Sequence, residues 1–358
     1  MVEAFKVPEK DAIRVAGKAL RESTAALIAK MGVPQEDAEL AADVLVTADL
    51  RGVDSHGVSN ELRVYLQRYA DGTQNARPQM KVLRERPASA TIDADKGLGV
   101  IVAPKAMDIA IAKARETGIG VVTVMNAGHM GMAAYHAMRA LPHDMVGMSM
   151  TAAGAQVLPT FGAEPRLGTN PIAVAAPAGE EQDFVFDMAT SVVPVNKIRN
   201  SQRMGTLLPP GHIADATGTP IMEPMLAPEN FRLLPLGGTR EQGSHKGYGL
   251  ASVAEIMCSL LSGAGFATRL PRSHYRHFLA AYNIDAFTDV AGFKQNMDEY
   301  IRDLKATPPA PGHARVMVPG QPEWEMLAER SEMGIPLHKE VVNWFRGACA
   351  KMGVDSAI

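Results

Sequence analysis

The hydrophobic period of this chain changes near Gln79, and the change limits its fold to a narrow set. Before that point apolar residues recur every three to four positions. After it come short β-prone runs punctuated by Gly and Pro. Helical and strand periods bury different faces, so a chain that carries both in blocks joins a helical part to a sheet-built part.

In the first block, Ile13, Ala16, Leu20, Leu27 and Ile28 predict a helix that stops at Met31-Gly32-Val33-Pro34. A second helix is predicted from Gln35 to about Arg51-Gly52, with Ala41, Val44, Leu45 and Ala48 on one face. The third lies in DSHGVSNELRVYLQRY, capped by Asp54 or Ser55, with Val58, Leu62, Tyr65, Leu66 and Tyr69 as its apolar stripe.

The middle block offers strands at SATIDA, GIGVVTVM, MVGMSM, PIAVAAP and FVFDM, with helices at 101–116 and 131–141. A Pro-rich loop at 207–228 leads to a helix at 246–263. The last block is read as helical, at 291–305, 322–333 and 338–351. The expected organisation is an N-terminal helical part (1–78), a sheet domain (79–270) and a C-terminal helical part (271–358), a mixed α+β chain of the α/β class.

Composition excludes several other classes. Of 358 residues 46% are hydrophobic and 21% charged, a globular balance. With 36 Lys+Arg against 39 Asp+Glu the net charge is -3 and no basic block is present, so nucleic acid is not an expected partner. No apolar run approaches a membrane span or the core of a signal peptide. Cys258 and Cys349 form no CxxC pair and sit in no zinc pattern, so no metal is expected and a reducing cytoplasm is the expected location.

A dinucleotide enzyme usually carries the Rossmann glycine fingerprint. KGLGVIVAPKAM has Gly97 and Gly99 but Val102 at the third position, and no acidic residue follows at the expected distance, so that motif is rejected. DSHG is more informative. At 100° per residue His56, Asn60 and Arg63 share an azimuth on the third helix. They read either as a solvated face or as a proton donor beside a carboxylate clamp. Arg63 lies about 10 Å of rise from His56 and can lean back toward it; the bland alternative is a surface pair with Glu61 or Asp71.

His129 stands between Gly128 and Gly131 in a strand-to-helix turn where a ligand can approach the backbone. Asp187 ends an apolar strand and reads as orienting an imidazole or as capping the next turn. His245 and Lys246 precede a Gly-rich helix start, where a lysine suits a phosphate. Ser55, His56 and Asp187 also invite a hydrolase reading. It is weak, since no GxSxG elbow occurs and neighbouring helical residues point about 100° apart.

In order along the chain, RGVDSHG, NAGHMG, GTNPIAVAAP, FVFDMATS, LPLGG, HKGYGL and PGQPEW…ER…GIPL resemble the malate/L-lactate dehydrogenase family of the non-Rossmann type. That family includes ureidoglycolate, sulfolactate and diketogulonate oxidoreductases and ketimine reductases. The resemblance implies a homodimeric, NAD- or NADP-dependent oxidoreductase of small 2-hydroxy or 2-oxo acids, with its cofactor on a largely antiparallel sheet domain. Ketimine (piperideine/pyrroline-2-carboxylate) reduction is the alternative within the class; a hydrolase or a silent binding protein are the alternatives outside it.

By motif position, Ser55 and His56 resemble the family's serine and proton-donating histidine, Asp187 its orienting carboxylate, and His129 its second catalytic histidine, beside the nicotinamide and the proton acceptor in some members. Asn60 and Arg63 are the substrate-binding candidates. Cofactor contacts are implied for His129, Gly131, Thr169, Asn170, Pro171, Met188, Ala189, Thr190, Ser191, His245 and Lys246. The chain departs from the family at Asn60, where an arginine is common, at Ala152-Ala153, where the family has Asn-Ser, and at Asn196-Lys197, where Gly-Lys is usual.

Overall fold

The computed structural model describes residues 5–358. The first helical layer holds β1 (Ala12–Val15), α1 (Gly17–Ala29), α2 (Gln35–Leu50) and α3 (Val58–Ala70). The sheet region follows with β2 (Lys81–Arg86), β3 (Ser89–Asp93), α4 (Gly99–Thr117), β4 (Ile119–Ala127), α5 (Ala133–Met138), β5 (Met145–Ala152), β6 (Ile172–Ala176) and β7 (Phe184–Met188). Then come α6 (Val195–Met204), β8 (Ile213–Ala214), β9 (Arg232–Leu233), α7 (Ser244–Glu255) and β10 (Tyr275–Asn283). The chain ends with α8 (Val290–Ala306), α9 (Gln321–Met333), β11 (Ile335–His338) and α10 (Lys339–Met352).

The main sheet has seven strands in the order β2-β3-β4-β10-β5-β6-β7. Every neighbouring pair is antiparallel except β3 and β4, which run parallel and are joined by α4. The expected mixed, largely antiparallel architecture is therefore observed.

Two expectations are corrected. The C-terminal block is not wholly helical, because β10 inserts between β4 and β5 at the centre of the sheet. Phe278 and Ala280 pack with Ala254 and Cys258 on one side, while Leu279 and Ala281 pack with Met107 and Ala110 of α4 on the other. A strand buried on both faces has no polar alternation to announce it. Burying a side chain such as Leu279 contributes about 1.5–3 kcal/mol.

Ile13 was expected in the first helix and lies in β1, opposite Leu337 of β11. Its partner strand is more than 300 residues away, so local periodicity could not reveal the pairing. The two-stranded ribbon ties the ends of the chain together, and Leu20, Leu27, Leu45, Leu62, Val342 and Phe345 share one core.

Candidate active site

The site begins where α2 meets α3. Asp54–His56 form a short 3-10 turn and Gly57 precedes α3. The Asp49 carboxylate at the end of α2 accepts the Val58 N–H at 2.8 Å, capping α3 from the preceding helix. A Cβ on Gly57 would stand 1.8 Å from Asp49 Oδ1, which explains the glycine of DSHG. Asp54, expected as a cap, instead pairs with Arg330 of α9 at 2.5 Å.

Because α3 starts at Val58, His56 is not on its face, and the shared azimuth with Asn60 and Arg63 is corrected. Asn60 is buried and donates to the Asp54 carbonyl at 2.7 Å. Arg63 pairs with Glu340 at 2.7 Å and covers the Trp344 ring at 4.6 Å. Neither lines the cleft described below.

The 3-10 turn also changes the relation of Ser55 to His56. Ser55 Oγ lies 2.8 Å from His56 Nδ1, so the two share a hydrogen bond that helical geometry would forbid. The His56 ring stacks on His129, with centroids 5.4 Å apart and 22° between planes. His129 Nδ1 is 2.7 Å from the Tyr65 hydroxyl and 3.4 Å from Glu61 Oε2, and Tyr275 meets its ring edge-on at 5.2 Å. Asn196 Nδ2 donates both to Glu61 Oε1 at 2.6 Å and to the Ser55 carbonyl at 2.7 Å.

Burial and the neighbouring His129 push His56 down to about 4, with Lys197 adding to the fall and Glu61 opposing it. Burial, then Arg68, pushes His129 down to about 3. Both rings are neutral near pH 7, the form able to accept a proton. Burial raises the Glu61 carboxyl, while His56 and the Asn196 bond work against the rise.

Asp187 does not orient an imidazole here. Its Oδ2 accepts the Ala134 N–H at 2.7 Å, in the first turn of α5. Burial pushes its carboxyl up to about 7, against the Ala134 bond.

A cleft of about 660 Å³ runs between the Arg51–His56 segment and the end of β7, a volume suited to an organic ligand. Of the candidate residues, Ser55, His56, Gly131, Thr169, Pro171, Asp187, Met188, Ala189 and Ser191 line it. Other expected contacts fall elsewhere. Asn170 is fully buried and bonds Ala153, Ala251 and Glu255. Thr190 is also fully buried and donates to the Thr169 carbonyl at 3.0 Å. His129 stands behind His56. His245 and Lys246 are exposed on α7, where Arg240 donates to His245 Nδ1 at 2.9 Å.

Three residues of the site carried no functional expectation. Arg51 lines the cleft, 2% exposed, with Nε and Nη2 lacking hydrogen-bond partners and its guanidinium 4.2 Å from the Trp324 ring centre. Lys197 lines the same cleft, its ammonium disfavoured by burial. Glu61 is buried, not on the surface. A signal for Glu61 existed: Glu61, Tyr65 and Arg68 follow one another at i, i+4 and i+7 on α3. Two cleft-wall cations and the left-handed glycine turn at Gly131 (φ 70°) fit an anionic dinucleotide, whose phosphates need positive charge and close backbone approach.

A neutral imidazole beside a cleft with two cations can accept a proton next to an anionic ligand, and comparison with known proteins places the chain among the oxidoreductases. The chain belongs to the malate/L-lactate dehydrogenase family, whose model matches residues 15–346. It is 38% identical over 352 residues to a malate dehydrogenase of Pyrococcus abyssi, covering 97% of each chain. It is 36% identical to an L-sulfolactate dehydrogenase of Methanocaldococcus jannaschii, covering 92% of this chain and 94% of the relative. The solved malate dehydrogenase of Pyrococcus horikoshii superposes with a TM-score of 0.90 at 35% identity, covering 98% of this chain and 99% of that one. Relatives of this kind imply a nicotinamide cofactor.

Proposed function

We propose that the chain transfers a hydride between NAD or NADP and a small L-2-hydroxy acid/2-oxo acid pair, with His56 moving the proton. The observation that carries this reading is the placement of His56: on the wall of the cleft and hydrogen-bonded at Nδ1 to Ser55. The nicotinamide, when bound, supplies the hydride acceptor or donor. His56 takes the hydroxyl proton during oxidation and returns it during reduction. Ser55 fixes the ring, and the His129 ring packs behind it.

The substrate carboxylate needs a cation near His56, and Lys197 fits, since its charge acts on the His56 ring across the cleft wall. Arg51, beside Asp187 and Glu323, faces the dinucleotide. Asp187, Met188, Ala189 and Ser191 give that ligand the edge of β7 to lie on. Arg63 and Asn60, held by Glu340 and Asp54, act through the fold.

A homodimer is part of the same proposal. Leu250, Val253, Ile256, Leu260 and Leu261 expose an apolar stripe running from α7 through the turn after it, a surface that a second copy would cover. Cys258 and Cys349 are both free and buried, in keeping with a reducing cytoplasm.

The test is absorbance of the reduced nicotinamide with NADH and NADPH against a panel of 2-oxo acids, a cyclic imino acid included. Oxidation of either nucleotide by a 2-oxo acid supports the reading. Turnover with the imino acid alone would move the chain to ketimine reduction.

A further inference from the structure

We propose that Glu61, held by Asn196, is the carboxylate that balances the positive charge taken up by the His56–His129 pair. This rests on His56 moving the substrate proton. When a hydroxy acid is oxidised, its C–H bond leaves as a hydride to the nicotinamide, its O–H proton passes to His56, and C=O forms. The imidazole becomes an imidazolium in a buried site. A buried cation without a partner is costly, so a carboxylate must lie close.

Asp187 is committed elsewhere, its carboxylate capping the first turn of α5 through Ala134. Glu61 has the position instead. Its Oε2 lies 3.4 Å from His129 Nδ1, and its charge favours the protonated form of His56. His56 and His129 stack face to face, so one carboxylate serves both rings.

Asn196 supplies the mount. One amide nitrogen reaches Glu61 Oε1 and the carbonyl of Ser55, joining the carboxylate to the turn that carries the proton-moving ring. A glycine, usual at this place among the relatives the sequence resembles, could make neither bond. Other groups also face Glu61. Arg68 of α3 and Arg199 of α6 favour its ionised form. Tyr65 of α3 and Tyr275 of β10 feel its charge, which raises their phenols further. The imidazoles remain the groups whose proton changes during turnover.

Glu61 is thus a positioning residue, and its effect must appear in a pH profile. In the nucleotide-free chain, carbethoxylation of His56 read by mass spectrometry reports the neutral imidazole. Glu61→Gln should shift its midpoint to lower pH, Glu61→Asp should restore most of the shift, and Asp187→Asn should leave it in place. With nucleotide and substrate, Glu61→Gln should lower kcat by about 10-fold or more with little change in either KM, and move the acidic limb the same way. A Glu61→Gln midpoint equal to wild type overturns the proposal, even if activity falls. A wild-type chain that turns over no 2-hydroxy acid overturns the functional reading instead, and the carbethoxylation result still decides the role of Glu61.

Discussion

His56 and His129 lie face to face, 5.4 Å between ring centres, with only His56 on the wall of the cleft. In the proposed function one ring meets the substrate and the other supports it. His56→Gln should therefore lower kcat about 10²–10⁴-fold while the Kd for nucleotide stays within about 2-fold. Stopped-flow hydride transfer and fluorescence titration of the nucleotide measure the two. A weakened Kd with unchanged kcat would place His56 in the nucleotide site.

Lys197 and Arg63 should behave in opposite ways. Losing a charge-assisted contact in a buried cleft costs about 1.5–3 kcal/mol, so Lys197→Met should raise KM for the 2-oxo acid about 10- to 100-fold. Arg63 is half-exposed and spends its charge on Glu340. Surface pairs of that kind contribute under about 1 kcal/mol, so Arg63→Ala should leave the 2-oxo acid KM within about 2-fold. Steady-state constants for both variants check this, and a large KM effect at Arg63 alone would return the clamp to α3.

Asp187 should make stability depend on pH. Its carboxyl is pushed up to about 7 in the folded chain against an ordinary value of 3.8. Between those values the unfolded chain has released the proton and the folded chain retains it, so this group weakens the fold as pH rises from about 4 to 7 and adds nothing further above 7. Asparagine does not titrate. The stability of Asp187→Asn relative to wild type should therefore improve by up to about 1.4 kcal/mol per pH unit across that window, measured by urea unfolding. A difference independent of pH would show that Asp187 is ionised throughout.

Gly57→Ala should be poorly tolerated. The added Cβ meets Asp49 Oδ1 at 1.8 Å, and Asp49 cannot swing away without releasing the Val58 N–H it caps. Overpacking together with loss of a cap should cost about 2 kcal/mol or more, read as a lower midpoint in chemical unfolding. Gly72, where an added Cβ meets nothing within 4 Å, has a positive φ, and Gly72→Ala should show only the smaller backbone strain.

Elements with a single buried face were readable from the sequence. The helix expected at 338–351 appears as Lys339–Met352, where Val341, Val342, Phe345 and Cys349 make the buried stripe and Gly353 ends it. The one expected at 322–333 appears as Gln321–Met333, bounded by Gly320 and Gly334 and burying only Arg330. β10 was hidden because both its faces are buried, and β1 because its partner is β11. At the site, the motifs of Ser55, His56 and Asp187 pointed to residues that line one cleft. For Glu61 the sequence offered only its shared face with Tyr65 and Arg68, and it is the tertiary contacts with His129 and Asn196 that distinguish a buried carboxylate on an amphipathic helix from a solvated one. Arg63 does not share a helical face with His56, because His56 lies in the 3-10 turn before α3.

The most direct measurement is the absorbance of reduced nicotinamide on mixing wild-type chain, NADH or NADPH, and a small 2-oxo acid, repeated with His56→Gln. The account requires nucleotide oxidation by the wild type and its near-complete loss in the variant, with nucleotide affinity intact. Equal turnover by the two proteins would contradict it, because the one imidazole that lines the cleft among the described residues would then have no part in the proton transfer.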